Sequence, residues 1–122
     1  MTTQFNPQRQ TYIKYDDRHY LLFLNEQAAE QEDEFSGKIS GYTYTGTMPD
    51  GSTLIEATEV TQENIRGKFI AGLLGLEYSI DDQIALLANG EDSEQHSEEL
   101  TIFKKVRSEV KKSIDELLER RI

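Results

Sequence analysis

The 122-residue sequence contains no cysteine and no tryptophan, two prolines and two histidines. The absence of cysteine excludes disulfides and thiolate metal sites. The longest apolar run, 69–76, is far shorter than the roughly 20 residues that a membrane-spanning helix needs. The N-terminus also lacks the charged-then-apolar layout of a signal peptide. These absences predict a soluble protein that stays in the cytoplasm.

Basic residues are scarce relative to acidic ones: 13 Lys and Arg stand against 23 Asp and Glu, for a net charge of −10. Such a surface repels the nucleic-acid backbone, which proteins hold mainly with Lys and Arg, and anionic membrane leaflets. The sequence therefore predicts neither direct nucleic-acid binding nor membrane binding.

The charges are also segregated along the chain. Residues 69–103 contain no Lys or Arg and eight acids: Glu77, Asp81, Asp82, Glu91, Asp92, Glu94, Glu98 and Glu99. Five bases follow at once: Lys104, Lys105, Arg107, Lys111 and Lys112. The plain interpretation is that these are solvated faces of helices.

The first half of the chain, 11–60, is typical of strands. Residues 11–15 and 20–24 are rich in β-formers and flank a turn-compatible segment, which predicts a hairpin. Because 20–24 is apolar on both faces, this strand is expected at the centre of a sheet or beneath a helix. A second hairpin, 40–45 with 53–58, is predicted around the Pro49-Asp50-Gly51 turn.

Two segments of the first half predict no regular structure. Residues 1–10 are polar and Gln-rich, which predicts a flexible tail ahead of a single domain over 11–122. Residues 25–38 are acidic and poor in apolar side chains, which predicts a mobile loop or, as the alternative, a short solvated helix that ends before Gly37.

The second half, 61–122, predicts three helices. Thr61 is a candidate N-cap for a helix whose apolar stripe is Ile65, Phe69, Ile70, Leu73 and Leu74. Ser79 and Asp82 have the spacing of a capping box, and the buried side of that second helix is expected to be Ile80, Ile84, Leu87 and Ala88. The last helix is expected to start near Ser93 or Ser97 and to run almost to Ile122. Its three-four seam is Leu100, Phe103, Arg107, Val110, Ile114, Leu117 and Arg121.

Strands followed by helices favour the α+β class over alternating α/β. We therefore expect a mainly antiparallel N-terminal sheet of about four strands, packed by about three C-terminal helices, the last long and amphipathic.

Three groups of residues could carry chemistry, and each has a structural explanation. His19 with Asp16 and Asp17 could form a metal or acid–base cluster, but Asp and His are common in hairpin turns. His96 lies at the acidic start of a predicted helix, and an exposed first turn explains it. Asp81 and Asp82 with Glu77 could be read as paired carboxylates for metal or hydrolytic chemistry, but helix capping explains both aspartates. No phosphate-binding loop or nucleophile elbow is present. We therefore expect no catalytic residues, no cofactor, no metal and no small-molecule substrate.

The tyrosines are the strongest candidates for a binding surface in the strand region. Tyr42 and Tyr44 share one face of a strand by its period of two. Tyrosine is favoured at interfaces, although it is also a good half-buried strand residue. With Leu117 and Leu118 of the last helix, these two tyrosines form the predicted interaction surface.

Two segments resemble small uncharacterised proteins encoded by bacterial prophages and integrated elements. They are Tyr78–Leu87, followed by Glu98, Phe103, Arg107 and Lys111, and the segment 41–46 with 50–55. The resemblance spans at most 41–115. It implies a late-gene or accessory product, with a phage-like particle as a further location, and supplies no catalytic residues.

Three functions remain open. The first is a non-enzymatic interaction or assembly protein, with a protein partner or self-association. The second is an acidic mimic of nucleic acid that inhibits a DNA-binding protein through Glu91, Asp92 and Glu94. The third is an enzyme or small-ligand binder built on Asp16, Asp17 and His19.

Overall fold

A computed structural model describes residues 1–121 and confirms the α+β class. Within these residues six strands precede three helices. The strands are β1 (Thr2–Asn6), β2 (Tyr12–Asp16), β3 (His19–Leu22), β4 (Gln27–Asp33), β5 (Gly37–Gly46) and β6 (Thr53–Glu56). The helices are α1 (Ile65–Leu74), α2 (Ile80–Asn89) and α3 (Glu94–Glu119).

The six strands form two antiparallel sheets of three, in the orders β1-β5-β4 and β2-β3-β6, rather than the single sheet of about four strands that the sequence predicts. The predicted hairpin of β2 and β3 is confirmed, with a register shift between Lys14 and Asp16. The central position predicted for the second of these strands is also confirmed, because β3 lies between β2 and β6.

The prediction of a tail over 1–10 is wrong. β1 pairs with β5 from Thr2 opposite Gly46 to Asn6 opposite Tyr42, and the hydroxyl oxygens of Thr3 and Thr45 lie 2.8 Å apart. β5 supplies the backbone hydrogen bonds that this polar segment needs. The amino-acid composition of residues 1–10 gives no sign of such a partner strand.

The prediction of a loop over 25–38 is also wrong. β4 pairs with β5 from Gln27 opposite Thr43 to Asp33 opposite Gly37. Acidic side chains are tolerated here because most of them are exposed, while the backbone hydrogen bonds of the ladder hold the strand.

The second predicted hairpin is half right. A turn does form after Met48, where the Gly51 N–H donates to the Met48 carbonyl at 3.0 Å and Gly51 has φ +84°. The flanking strands, however, enter different sheets. Both edges of β5 are taken by β1 and β4, so β6 pairs with β3 instead.

The core lies between the β2-β3-β6 sheet and helices α1 and α3. Its main cluster comprises Leu22, Leu24, Ile55, Ala57, Phe69, Ile70, Ile114 and Leu117. A second cluster, Leu74, Leu100 and Phe103, joins α1 to the first half of α3. The apolar stripe predicted for the first helix is therefore the face that packs. The three-four seam of α3 packs within the same chain, while its Arg107 and Arg121 are exposed.

The starts of α2 and α3 follow the predicted capping residues, but the prediction for α1 is wrong: its N-cap is Asn64 rather than Thr61, and Asn64 makes no side-chain cap hydrogen bond. Ile65 begins α1 after a turn in which Thr61 and Asn64 exchange side-chain-to-backbone hydrogen bonds. Ser93 caps α3 by accepting from the His96 N–H at 3.1 Å. Helix α3 ends at Glu119, and the predicted end near Ile122 lies outside the described residues.

Candidate interaction surfaces

Helix α2 is capped as its sequence predicts. The Ser79 hydroxyl accepts from the Asp82 N–H at 3.0 Å, and the Asp82 carboxylate accepts from the Ser79 N–H at 3.2 Å. Asp81 and Asp82 lie in the first turn, where the helix dipole favours negative charge. The helix ends at Gly90, whose φ is +54°.

The predicted buried side of α2 is wrong, because no residue of this helix is buried. Ile80, Ile84 and Leu87 are 75%, 60% and 63% exposed, and Ala88 is exposed as well. The helix instead contacts α3 through Leu86, which packs on the cluster of Leu74, Leu100 and Phe103. Leu86 lies on one side of α2, and Ile80, Ile84 and Leu87 lie on another. Because the side with Leu86 faces α3, the side with the other three residues faces solvent.

We call Ile80, Ile84 and Leu87 the α2 stripe. Their spacing of four and three residues places them on one side of the helix. Ile80 also lines a surface groove of about 520 Å³ with Leu76, which is 53% exposed. Glu56 and Lys68 line the same groove. The apolar surface therefore continues from α2 toward the end of α1.

Acidic side chains surround the α2 stripe in sequence. Glu77 precedes Ile80 by three residues, and Glu91 follows Leu87 by four. All eight acids of the 69–103 interval are exposed, including Glu91, Asp92 and Glu94. Asp92 pairs with the imidazole of His96, and this hydrogen bond raises the pKa of His96. The surface is thus an apolar stripe in an acidic neighbourhood.

Two of the four predicted interaction residues are unavailable on the surface. Tyr44 and Leu117 are buried within the domain, while Tyr42 and Leu118 are half-buried. Tyr44 packs edge-on against Phe23 at 5.4 Å between ring centroids, and Leu117 belongs to the main core cluster. The prediction is wrong for this pair because tertiary packing turned both side chains inward.

Sequence reasoning missed a buried polar network at the end of α3. The Arg120 side chain is fully buried and donates to the carbonyls of Gln10 and Phe23. It also pairs with Glu116 at 2.8 Å and lies 3.5 Å from Glu26. An Arg close to the end of a helix gives no signal in sequence that it will be buried.

Glu26 is the centre of this network. Its carboxylate accepts from the Arg9 guanidinium at 2.7 Å and from the Tyr44 hydroxyl at 2.8 Å. Burial would raise the pKa of Glu26, but these hydrogen bonds and the charge of Arg120 outweigh it and lower the pKa. Burial raises the pKa of Tyr44 to about 12. The buried side chains of the network therefore have their hydrogen-bond partners within the domain.

The candidate cluster at the first hairpin forms an ordinary turn. Asp16 accepts from the Arg18 N–H and from the His19 imidazole, each at 2.8 Å. The backbone hydrogen bond from Arg18, followed by the one from His19, lowers the pKa of Asp16. Asp17 is exposed and pairs with Lys14. Within residues 1–121 no group of three or more His, Asp or Glu side chains is arranged so that it could hold a metal ion.

The five bases that follow the acidic interval lie on α3. Lys104, Lys105, Arg107 and Lys112 are exposed, and Lys111 is half-buried. Across residues 1–121 none of the five forms an ion pair. Asp115 of the same helix is already paired with Arg66 at 2.6 Å. Glu109 is the one acid of this stretch, so residues 104–112 carry a net charge of 5 − 1 = +4.

Comparisons of the chain with protein-family models, curated proteins and solved structures give no match. In the part of the chain that the structure describes, each helix is too short or too polar to cross a bilayer.

Proposed function

We propose that this protein is a non-enzymatic interaction protein that holds a segment of another protein on the α2 stripe. The observation that carries the proposal is the exposure of Ile80, Ile84 and Leu87 together on one side of a helix. Removing apolar surface from water is favourable by about 25 cal/mol per Å², before the entropic costs of association are subtracted. Exposed apolar surface that is continuous, unlike single scattered residues, is typical of interaction sites.

The partner segment is expected to be an amphipathic helix with Lys or Arg beside its apolar face. Such a helix matches a stripe whose own segment, Phe69 to Phe103, contains eight acids and no bases, with Lys68 as a base in the groove beside Ile80. A symmetric pairing of two α2 stripes would bring Glu77 and Glu91 of each copy near like charges, which costs free energy. The basic part of α3 is a poor match too, because its exposed residues from Lys104 to Lys112 are polar or charged.

The test is site-specific photo-crosslinking in a lysate of the cells in which the protein is naturally produced. A photo-reactive amino acid is placed at position 84 in one variant and at position 13 in a matched control. Ile13 is 57% exposed, close to the 60% of Ile84, but lies on β2. We expect position 84 alone to crosslink to one protein, at an apolar segment flanked by Lys or Arg. The same products from both positions, or an acidic crosslinked segment, would contradict the proposal.

A second measurement separates binding from folding. Ile84→Glu should abolish the crosslinks from a photo-reactive residue at position 87, whereas Ile13→Glu should leave them unchanged. Because Ile84 is exposed, Ile84→Glu should leave the urea midpoint nearly unchanged. Loss of crosslinking together with a lowered midpoint in Ile84→Glu would point to misfolding instead.

The exposure of Glu91, Asp92 and Glu94 favours a second candidate, an acidic mimic that occupies a DNA-binding protein. Reversal of these three charges to Lys should then weaken binding to a basic partner strongly, with a steep salt dependence. Unchanged binding after this reversal, with loss after Ile84→Glu, would leave the α2 stripe as the site.

The biological setting that we propose is that of a prophage accessory or structural component, on the resemblance of segments within 41–115. The prediction is that the protein sediments with phage-like particles after induction of the host. Its recovery only in the particle-free fraction would remove this setting without affecting the binding proposal.

A further inference from the structure

The hairpin of β4 and β5 projects from its sheet as a two-stranded arm, which we define as residues 27–40. β1 covers β5 only from Tyr42 to Gly46, so residues 37–41 pair with β4 alone. At about 3.4 Å per residue this ribbon extends roughly 17 Å beyond the three-stranded part. No residue from 27 to 40 is buried. Both faces of the arm and the outer edge of β4 are therefore open.

The tip of the arm presents an aromatic side chain to solvent. Phe35 is 95% exposed. The Asp33 carboxylate fixes the turn by accepting from the Ser36 hydroxyl at 2.7 Å and from the Phe35 N–H at 3.4 Å. The hydrogen bond from Ser36, followed by that from Phe35, lowers the pKa of Asp33. Gly37, with φ +84°, completes the turn. The tip is thus a defined structure with an unpartnered ring.

The arm is acidic as well as unpartnered. It carries four acids, Glu30, Glu32, Asp33 and Glu34, and one base, Lys38, which gives a net charge of 1 − 4 = −3. Lys38 lies 3.8 Å from Glu30. A two-stranded ribbon that is solvated on both sides is only marginally stable in water. Contact with an oppositely charged surface would stabilise it.

The same chain offers such a surface on α3. Lys104, Arg107 and Lys111 follow each other at three and four residues, so they lie on one side of the helix. Lys105 and Lys112 lie beside them, and none of these bases is paired within residues 1–121. The α2 stripe cannot accept the arm equally well, because its neighbourhood is acidic.

We propose that the arm of one copy lies along the basic side of α3 of a second copy. Glu30, Glu32 and Glu34 then face Lys and Arg side chains. Phe35 packs on the aliphatic stems of these side chains or under the Arg107 guanidinium, both of which are common contacts. The two surfaces differ, so the contact is head-to-tail and each copy can bind two others, which gives rings or open chains.

This contact uses no residue of the α2 stripe. Its success or failure is therefore separate from that of the proposed function.

The test is absolute molar mass by light scattering over a hundredfold dilution, at about 50 mM and about 500 mM salt. We expect two or more times the 14.0 kDa of one chain at high protein concentration and low salt. We expect one chain mass at high salt, because exposed ion pairs are screened. A monomer at every concentration and salt would overturn the proposal.

Charge-swap variants make the test specific. The arm variant combines Glu30→Lys, Glu32→Lys and Glu34→Lys, and the α3 variant combines Lys104→Glu, Lys105→Glu and Arg107→Glu. Each variant alone should be monomeric, while their equimolar mixture and the variant with all six changes should associate again. Phe35→Ser should shift the midpoint of association to at least tenfold higher concentration.

The control variant combines Lys14→Glu and Arg18→Glu, which reverse exposed bases of the first hairpin. It should associate like the unmodified protein. Circular dichroism and urea midpoints establish that every variant is folded. Association that persists in both single-surface variants, or that is not restored by the six-residue change, would overturn the proposal.

Discussion

The Tyr44 hydroxyl donates a hydrogen bond of 2.8 Å to Glu26, and the Arg120 guanidinium lies 5.6 Å from the centre of the Tyr44 ring. These residues come from β5, the segment before β4, and the end of α3. The contact therefore ties the β1-β5-β4 sheet to the last helix. Charged groups that are buried in this way are stable only when their hydrogen bonds are made.

Removal of the buried guanidinium should be costly. Arg120→Met would leave the Phe23 carbonyl without its buried side-chain donor and would remove the positive charge beside the Glu26 carboxylate, so we expect a loss of about 3 kcal/mol in the free energy of unfolding. Arg121→Met is the matched control, because Arg121 is adjacent and exposed. It should change stability by less than about 0.5 kcal/mol. Urea denaturation followed by circular dichroism compares the two, and equal effects would contradict the network.

The lowered pKa of Glu26 predicts how stability depends on pH. The ionised carboxylate is favoured by the folded state, so its contribution is present above the ordinary pKa of 4.5 and is lost as pH falls through the lower, folded value. Glu26→Gln should therefore be less stable than the unmodified protein at pH 7, and the difference should shrink below about pH 4. Urea midpoints measured from pH 7 to pH 3 check this. A difference that stays constant over this range would exclude Glu26 as the titrating group.

Two glycines of α1 should respond oppositely to alanine. A Cβ at Gly67 meets no atom within 4 Å, so Gly67→Ala should stabilise the protein by about 0.5–1 kcal/mol through helix propensity. A Cβ at Gly72 would lie 2.6 Å from the Glu56 carbonyl oxygen and 3.0 Å from Cδ1 of Ile55. Gly72→Ala should therefore destabilise, by about 1–3 kcal/mol. Thermal unfolding of the pair is the measurement, and a shift in the same direction for both would contradict this packing of α1 on β6.

Helix α2 should open more readily than α3, because it contributes no fully buried side chain. Loss of its cap in Ser79→Ala should cost about 1 kcal/mol, roughly a fivefold loss of amide exchange protection within 80–89. Protection in the second half of α3 should not change. Ser108→Ala, at an exposed α3 position, is the control. Equal protection of α2 in both variants would show that the capping box does not govern its opening.

Sequence patterns within a few residues predicted the packing face of α1 and the starts of α2 and α3. The helical spacing of the apolar stripe, which includes Phe69, Ile70 and Leu74, identified the face of α1 that packs. The Ser79 capping box and the Ser93 cap located the starts of α2 and α3. These features depend on side chains within a few residues of one another, and such interactions are nearly the same in any fold.

Features that depend on residues far apart in the sequence were predicted wrongly or were not predicted. Polar β1 and acidic β4 are strands because β5 supplies hydrogen bonds on both sides. The Pro49-Asp50-Gly51 turn formed, yet its strands went to different sheets because β5 had no free edge. The burial of Arg120 depends on groups about a hundred residues away in the chain.

The surfaces on which the functional proposals depend divide in the same way. By itself the sequence determined the α+β class, the apolar spacing of Ile80, Ile84 and Leu87, and the segregation of acids from bases. Only the tertiary structure decided that the α2 stripe faces solvent, that Tyr44 and Leu117 face inward, and that 27–40 is an arm. The physical reason is that helical spacing shows which residues share a face, whereas burial depends on whether another element packs there. Here Leu86 contacts α3, and the α2 stripe on another side of the helix remains exposed.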